Sequence, residues 1–116
     1  MTEHSSRIAV VILNWNGKSF LERFLPGVLD SCKGAAELIV ADNFSTDDSI
    51  EFLEKNFPEV RIIKLSKNNG YTGGYNEALA EVKSEYYVLL NSDVEVKGDW
   101  INPVIRLMDS NKQIAA

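Results

Sequence analysis

The sequence has little of what redox, metal-cluster and membrane proteins depend on. It holds one cysteine in 116 residues, which excludes an internal disulfide. Its one histidine, His4, lies in the polar N-terminal tail, which argues against a histidine-based catalytic triad and a histidine-rich metal site. Its longest apolar run, residues 8–13, is too short to span a membrane. Residues 1–6 are polar, contain no hydrophobic signal segment, and are expected to form a disordered tail. We therefore expect a cytoplasmic protein.

Positive charge is also scarce. Twelve Lys and Arg residues stand against 17 Asp and Glu residues, which gives a net charge of -5. Without a basic run, nucleic acid is not expected as a partner. An anionic ligand would have to be neutralised locally, by a metal ion or by helix N-termini. Hydrophobic residues make up 45% of the chain, enough for the core of one domain.

Apolar runs and helical periodicities alternate along the chain. Strands are predicted near residues 8–13, 37–41, 60–65 and 86–91, and helices follow each of them. The second helix is expected to begin with a hydroxyl cap at Ser45–Thr46, and the third to follow a glycine-rich loop over residues 66–74. This order predicts an α/β domain over residues 7–116 with a mostly parallel, doubly wound, Rossmann-like sheet.

Within that sheet, the stretch Tyr86–Asp93 is predicted to contain the most buried strand. Five apolar or aromatic residues run without a break before the polar triplet Asn91–Asp93, a pattern typical of a strand covered on both faces. The strand at 60–65 carries two charges and is predicted at an edge or partly exposed. Cys32 lies on the apolar face of the first helix and is predicted to be buried.

Polar side chains follow three of the predicted strands, at 14–16, 42–43 and 91–93. The carboxyl ends of parallel strands share one edge of a sheet, and ligands of open α/β sheets bind there. An aromatic residue, two acids, several amides and a glycine-rich loop at one edge suit a nucleotide diphosphate. The contributing residues are Asn14, Trp15, Asn16, Asp42, Asn43, Gly70, Gly73, Gly74, Asn91 and Asp93.

Each residue type brings its own chemistry to such a site. Trp15 can pack beside a base or a sugar, and Asp42 can accept hydrogen bonds from a base N–H or a ribose hydroxyl. The glycines at 70–74 leave room for backbone amides to approach phosphate or sugar. Asp93 can hold a divalent cation, and the cation can hold a diphosphate.

Each feature also has a purely structural interpretation, which the sequence leaves open. Trp15 can cover the core, and Asp42–Asn43 can shape a turn. The pair Gly73–Gly74 can permit a tight junction between loop and helix. The triplet Asn91–Asp93 can be no more than a polar turn after a strand. The meeting of all these features at one edge favours a binding site.

Four ordered motifs resemble the family 2 glycosyltransferases, whose fold is GT-A. They are VVILNWNG at 10–17, VADNFSTD at 40–47, NNGYTGGYN at 68–76 and LLNSD at 89–93. The likeness covers nearly the whole chain and is closest to bacterial rhamnosyltransferase-like members that build cell-surface polysaccharide.

The resemblance implies roles for the residues that match its motifs. Asp42 would contact the nucleotide base, and Asn14 and Trp15 would help to line the base pocket. Asp93 would bind a divalent metal, Mg²⁺ or Mn²⁺, on the donor diphosphate. Asn91 departs from the Asp-x-Asp form of many GT-A enzymes and is similar to the Asn-x-Asp variant of this branch.

The implied reaction is inverting transfer of a sugar from a nucleotide-diphosphate sugar to a saccharide or lipid-linked acceptor. Family members are longer than this chain, so we expect the acceptor region and the catalytic base beyond residue 116. Those regions would also carry any peripheral association with the inner face of the membrane.

Three other functions remain as alternatives. A nucleotidyltransferase would also use a sheet of this kind and a metal ion to bind its substrate. Residues 14–18, however, are a poor match to its basic, glycine-rich phosphate loop. A dinucleotide-binding domain would carry G-x-G-x-x-G after the first strand, where this chain has none. A non-catalytic interaction module is the third alternative, and nucleotide binding would separate it from an enzyme.

Overall fold

Strands and helices alternate along the chain as predicted. The computed structural model describes residues 8–68, 70–92, 100, 101, 103, 106 and 107. Its elements are β1 (Ile8–Asn14), α1 (Lys18–Cys32), β2 (Glu37–Asp42), α2 (Ser49–Asn56), β3 (Arg61–Lys64), α3 (Gly70–Leu79) and β4 (Tyr86–Asn91). The predicted tail, most of the predicted fourth helix and Asp93 lie outside the described residues. None of the helices described has both the length and the apolar character to cross a membrane.

The four described strands form one parallel sheet in the order β3-β2-β1-β4. Asn14 lies opposite Asp42 on β2, and its neighbour Leu13 lies opposite Asn91 on β4. The polar residues that follow the apolar runs therefore meet at the carboxyl edge, which confirms the predicted parallel arrangement.

Helices cover both faces of this sheet because the side chains of β1 alternate between them. Val10 and Ile12 point to one face and pack in a core cluster with Leu25 of α1 and Leu53 of α2. Val11 points to the other face and joins the cluster that contains Tyr75 and Ala78 of α3. Each such side chain contributes about 1.5–3 kcal/mol on burial. The doubly wound α/β fold is confirmed.

The prediction that the strand at 86–91 is the most buried one is wrong for the described sheet. β4 pairs with β1 alone among the described strands, and Leu89 is 42% exposed. β1 and β2, which lie inside the sheet, are almost entirely buried. An unbroken apolar run reports the character of a strand but not its place in the sheet. The charged strand β3 lies at the opposite edge, as predicted.

The third helix begins earlier than predicted. Gly73 and Gly74 lie in the first turns of α3, which starts at Gly70, and not in a preceding loop. A Cβ atom at position 74 would lie 2.9 Å from Leu13 Cδ1 and 3.1 Å from Asn43 Nδ2. Close packing of α3 on β1 therefore requires glycine here and outweighs the low helix propensity of that residue.

The second helix does not use a hydroxyl cap at Ser45–Thr46. α2 begins at Ser49, and its N-cap residue Asp48 makes no side-chain capping bond. Asp47 instead accepts hydrogen bonds from the backbone N–H and the hydroxyl of Ser49. The hydroxyl of Ser45 is used elsewhere, at the carboxyl edge of the sheet.

Candidate functional site

A cleft of about 460 Å³ opens at the carboxyl edge of the sheet. This volume lies in the range of small-molecule sites, and the position is where open α/β sheets bind ligands. The lining residues are Leu13, Trp15, Phe20, Asn43, Asn68, Gly70, Asn91 and Ser92. Of the predicted substrate-binding residues, the cleft thus brings together Trp15, Asn43, Gly70 and Asn91. Their contact with a ligand stays a prediction.

Asn16 does not line the cleft but joins the loop after β1 to the loop after β2. Its Oδ1 accepts hydrogen bonds from the N–H groups of Thr46, at 2.7 Å, and Asp47, at 3.1 Å. Its Nδ2 donates to Thr46 Oγ1 at 3.0 Å, and its backbone N–H donates to Ser45 Oγ at 2.9 Å. We call this set of bonds between residues 14–18 and 42–49 the loop clasp.

Asn14 and Asp42 form the buried part of the loop clasp. Asp42 Oδ1 accepts from Asn14 Nδ2 at 3.0 Å and from Ser45 Oγ at 2.7 Å, and its Oδ2 accepts from Ser45 N–H at 2.9 Å. Asp42 is 1% exposed and Asn14 is fully buried. In this conformation Asp42 shapes the turn, as in the structural interpretation of Asp42–Asn43, and Asn14 binds Asp42. The contact of Asn14 and Asp42 with a base stays a prediction.

At the exposed end of the loop clasp, Lys18 contacts the carboxylates of Asp47 and Asp48. Lys18 donates its backbone N–H to Asp47 Oδ2 at 3.3 Å, and its Nζ lies 3.3 Å from Asp48 Oδ2. Slight burial acts to raise the pKa of Asp47, but hydrogen bonds from Ser49 and Lys18 outweigh it and lower that pKa below its usual value. Asp47 is therefore ionised at neutral pH, where its oxygens serve as acceptors.

Asn43 links the end of β2 to the start of α3. Its Nδ2 donates to Asn68 Oδ1 at 3.1 Å and to the carbonyl of Gly70 at 3.2 Å, while Gly70 N–H donates to Asn68 Oδ1 at 2.7 Å. Asn43 Oδ1 is buried and has no hydrogen-bond partner among the described residues. An unsatisfied buried acceptor costs about 1–3 kcal/mol, and this oxygen is closed off from the cleft in the conformation described.

Glycines bring the backbone segments of the site together. A Cβ atom at Gly17 would lie 2.5 Å from Asn14 Oδ1 and 3.2 Å from Ser92 Oγ, so the loop after β1 can approach the end of β4 only with glycine there. Gly73 and Gly74 do not line the cleft. Gly74 allows α3 to pack on β1, a structural role that differs from the predicted junction between loop and helix.

Several residues of the site were missed from the sequence. Leu13, Phe20, Asn68 and Ser92 line the cleft, and Gly17 allows the loop after β1 to approach Ser92. Phe20 and Gly17 lie within six residues of the end of β1, and this closeness to a carboxyl strand end was the available signal. Asn68 begins the motif at 68–76, but its contact with Asn43 joins residues that are far apart in sequence and is not visible in the motif.

The described residues alone do not make a metal site. No group of three His, Cys, Asp or Glu side chains suited to a metal ion occurs in the part of the chain that the structure describes. Asn91 and Ser92 bring neutral oxygen atoms to the cleft, whereas hard divalent cations prefer several ligands that include carboxylates. The carboxylate that such a site needs is predicted at Asp93, outside the described residues.

Two solved structures share this fold. Residues 1–349 of S. aureus TarS superpose with a TM-score of 0.78 at 20% identity, over 91% of this chain and 33% of that one. The mannosyltransferase PcManGT from Pyrobaculum calidifontis, in complex with GDP-Man and Mn²⁺, gives a TM-score of 0.69 at 19% identity, over 82% and 30%. TarS is also known in complex with UDP and with UDP-GlcNAc. The chain therefore has the GT-A fold.

Two curated proteins are similar to this chain in sequence. TuaG of Bacillus subtilis, a glycosyltransferase assigned to teichuronic acid biosynthesis, is 27% identical over 93% of this chain and 44% of its own length. An N-acetylglucosaminyl-diphospho-decaprenol L-rhamnosyltransferase of Mycobacterium tuberculosis is 28% identical over 65% of this chain and 24% of its own. The chain spans less than half the length of the curated relatives it matches.

The match to a family model agrees with the four motifs and with the parallel sheet that carries them. The model described as "Glycosyl transferase family 2" covers residues 9–116, and thus includes both loops of the clasp and every residue that lines the cleft. The chain belongs to glycosyl transferase family 2.

Proposed function

We propose that this chain forms the donor-binding part of an enzyme that transfers a sugar from a nucleotide-diphosphate sugar to a saccharide or lipid-linked acceptor. The observation that carries the proposal is the cleft of about 460 Å³, in which Trp15 and the amides of Asn43 and Asn91 meet at the carboxyl edge. The UDP-GlcNAc complex of TarS and the GDP-Man complex of PcManGT support a nucleotide sugar as the ligand.

The cleft is suited to the uncharged parts of such a donor. Trp15 is 54% exposed and offers a flat apolar ring to a base or sugar. Asn43 and Asn91 line the same cleft and bring amide groups towards the N–H and O–H groups of a donor. Specificity for a ligand comes from such fixed polar groups within a mostly apolar lining.

The phosphates need a positive charge that the described cleft does not supply. Neither Lys nor Arg is among its described lining residues, and the chain as a whole carries a net charge of -5. We therefore propose that Asp93 holds Mg²⁺ or Mn²⁺ against the diphosphate, together with oxygen ligands from solvent and substrate. Such a metal, when bound, supplies the charge that stabilises the leaving diphosphate.

Transfer with inversion also requires a base for the acceptor hydroxyl. We propose that a carboxylate beyond residue 116 has this role. We propose a product in cell-surface polysaccharide, which the similarity to TuaG supports, and a place in the rhamnosyltransferase-like branch, which the similarity to the L-rhamnosyltransferase supports. The reaction would take place in the cytoplasm, at the inner face of the membrane if the acceptor is lipid-linked.

Thermal shift with UDP-, dTDP- and GDP-sugars, with and without Mn²⁺ or Mg²⁺, tests the proposal. A ligand that binds the native state alone raises the melting temperature by mass action, and we expect one donor to do so and the metal to enlarge the effect. Trp15→Ala should lose most of this shift. Arg61→Ala, which changes a residue of the outermost strand β3 that does not line the cleft, should retain it. If no nucleotide sugar shifts the melting temperature, the non-catalytic interaction module becomes the better explanation. A shift with nucleoside triphosphates alone would favour a nucleotidyltransferase.

A further inference from the structure

Tyr75 of α3 brings a hydroxyl into the core that covers one face of the sheet. Its side chain is 3% exposed and packs in the apolar cluster that contains Val11 and Ala78. A buried hydroxyl needs hydrogen-bond partners, because its removal from water is otherwise costly. A phenylalanine ring would pack here without that requirement. The partners of the hydroxyl therefore indicate what it adds to packing.

Both partners are backbone groups near the carboxyl edge of the sheet. The Tyr75 hydroxyl donates to the carbonyl of Leu90 on β4 at 2.7 Å and accepts from the N–H of Leu13 on β1 at 3.4 Å. The register pairs Ile12 with Leu90 and Leu13 with Asn91, so these two backbone groups lie side by side between the strands. The hydroxyl thus joins β1, β4 and α3 at one point.

The helix reaches this point because it packs closely on β1. At Gly74, a Cβ atom would lie 2.9 Å from Leu13 Cδ1, so the absence of a side chain lets the two backbones approach. The next residue of the helix, Tyr75, is thereby brought within hydrogen-bonding distance of both strands.

Each of the three elements that the hydroxyl joins contributes a wall of the cleft. Leu13 of β1, Gly70 of α3 and Asn91 of β4 all line it. Asn91 directly follows the residue whose carbonyl accepts from Tyr75. Tyr75 itself is not among the described lining residues, so it can act on a ligand only through the walls that it joins.

We infer that Tyr75 is a positioning residue for the nucleotide of the donor, and that its hydroxyl holds Leu13 and Asn91 at the spacing which the bound nucleotide requires. The inference rests on the proposed function and adds to it a residue behind the cleft. Without the hydroxyl, the end of β4 loses this link to α3. The wall that contains Asn91 can then shift relative to Gly70, and contacts with a ligand that touches both walls are weakened.

Tyr75→Phe removes the hydroxyl and keeps the ring, and Tyr87→Phe is the matched control. Tyr87 packs against the same apolar cluster, and its hydroxyl also donates to a backbone carbonyl, that of Val82, at 2.7 Å. Tyr87 lies near the amino end of β4, opposite Ala9, and is not among the described lining residues of the cleft. The two variants therefore lose the same kind of bond at opposite ends of one strand.

Calorimetric titration with UDP, dTDP and GDP in the presence of Mn²⁺ gives the dissociation constants, and circular dichroism gives the melting temperatures. Titrations well below the melting temperature keep every variant folded, so a loss of stability alone does not change the dissociation constant. We expect both variants to lose a similar few degrees of melting temperature, because each lacks one hydrogen bond. Tyr75→Phe should bind the nucleotide that the wild type prefers about fivefold more weakly, whereas Tyr87→Phe should stay within about twofold of the wild type.

The inference is overturned if Tyr75→Phe binds this nucleotide within about twofold of the wild type, or if Tyr87→Phe weakens binding as much as Tyr75→Phe does. An unfolded Tyr75→Phe variant would assign the hydroxyl to stability and would also overturn it. In each of these cases, binding by the wild type leaves the proposed function intact. A wild type that binds none of the three nucleotides overturns both.

Discussion

Asn14 and Asp42 face each other at the ends of β1 and β2, and a 3.0 Å hydrogen bond joins Asn14 Nδ2 to Asp42 Oδ1 inside the protein. The amide satisfies a carboxylate that is 1% exposed, and Ser45 supplies two further bonds. The end of the sheet is thus closed by a polar cluster, and the cleft that Asn43 and Trp15 line lies beside this cluster.

Asp42→Ala should lower the free energy of unfolding by about 2–4 kcal/mol, because it leaves the donors of Asn14 and Ser45 unsatisfied in a buried place. Urea denaturation measures this. Glu54→Ala is the matched control, since Glu54 forms an exposed ion pair with Lys64 at 3.1 Å and should cost less than about 1 kcal/mol. Equal effects of the two substitutions would show that the buried cluster has no special role.

Asn16→Ala should loosen the loop after β1. It removes the side-chain bonds to Thr46 and Asp47, and we expect a loss of about 1–2 kcal/mol in unfolding free energy. In a Trp100→Phe background, Trp15 is the one tryptophan left, and its fluorescence anisotropy should fall. Asn56→Ala, which removes a single exposed bond in α2, should leave the anisotropy unchanged. Unaltered anisotropy in Asn16→Ala would mean that the clasp does not fix Trp15.

Gly74→Ala should destabilise the protein by about 1–3 kcal/mol, because its Cβ would press on Leu13 and overpack the contact between α3 and β1. Gly27→Ala, an exposed glycine within α1, should instead stabilise it by up to about 1 kcal/mol through helix propensity. Thermal or urea unfolding compares the two. A stabilising effect at position 74 would contradict the close packing of this helix.

Cys32 should make the stability depend on alkaline pH. Burial raises the pKa of its thiol from 9.0 to about 11, so between these values the unfolded chain releases a proton that the folded chain keeps. The contribution is present in full below pH 9 and is lost as pH rises towards about 11. Urea unfolding at a series of pH values should show a steeper decline for the wild type than for Cys32→Ala. Parallel declines would place the thiol in contact with solvent.

Asp93→Asn should abolish the metal dependence of donor binding while leaving the unfolding free energy nearly unchanged. The change keeps the shape of the side chain but removes the charge that a hard cation requires. Metal and nucleotide should bind cooperatively in the wild type, each raising the affinity of the other by the same factor. Calorimetric titration of a nucleoside diphosphate with and without Mn²⁺ measures this.

Asp42→Asn provides the comparison, because it should lower the affinity for the nucleotide even without metal. Full metal enhancement in Asp93→Asn would leave the polar-turn interpretation of Asn91–Asp93 as the correct one.

The sheet and the place of the site could be predicted because both depend on local patterns. Apolar runs define β1 and β2, and a β-α alternation places their polar ends at one edge. The start of α3 could not be predicted, because it depends on the distance between Gly74 and Leu13, which are far apart in sequence. The use of Asn16 and Asp42 within the loop clasp depends in the same way on the register of two strands. The position of β4 depends on which strands flank it, and no property of its own sequence encodes that.

The two edges of the described sheet are chemically unequal. Along β3, Arg61 lies 3.9 Å from Glu37 and Lys64 lies 3.1 Å from Glu54, and charged side chains of this kind deter the pairing of a further strand. Along β4, by contrast, Leu89 is exposed and residues 86–91 are all uncharged. We therefore expect a further strand, whether from the same polypeptide or another, to pair less readily beside β3 than beside β4.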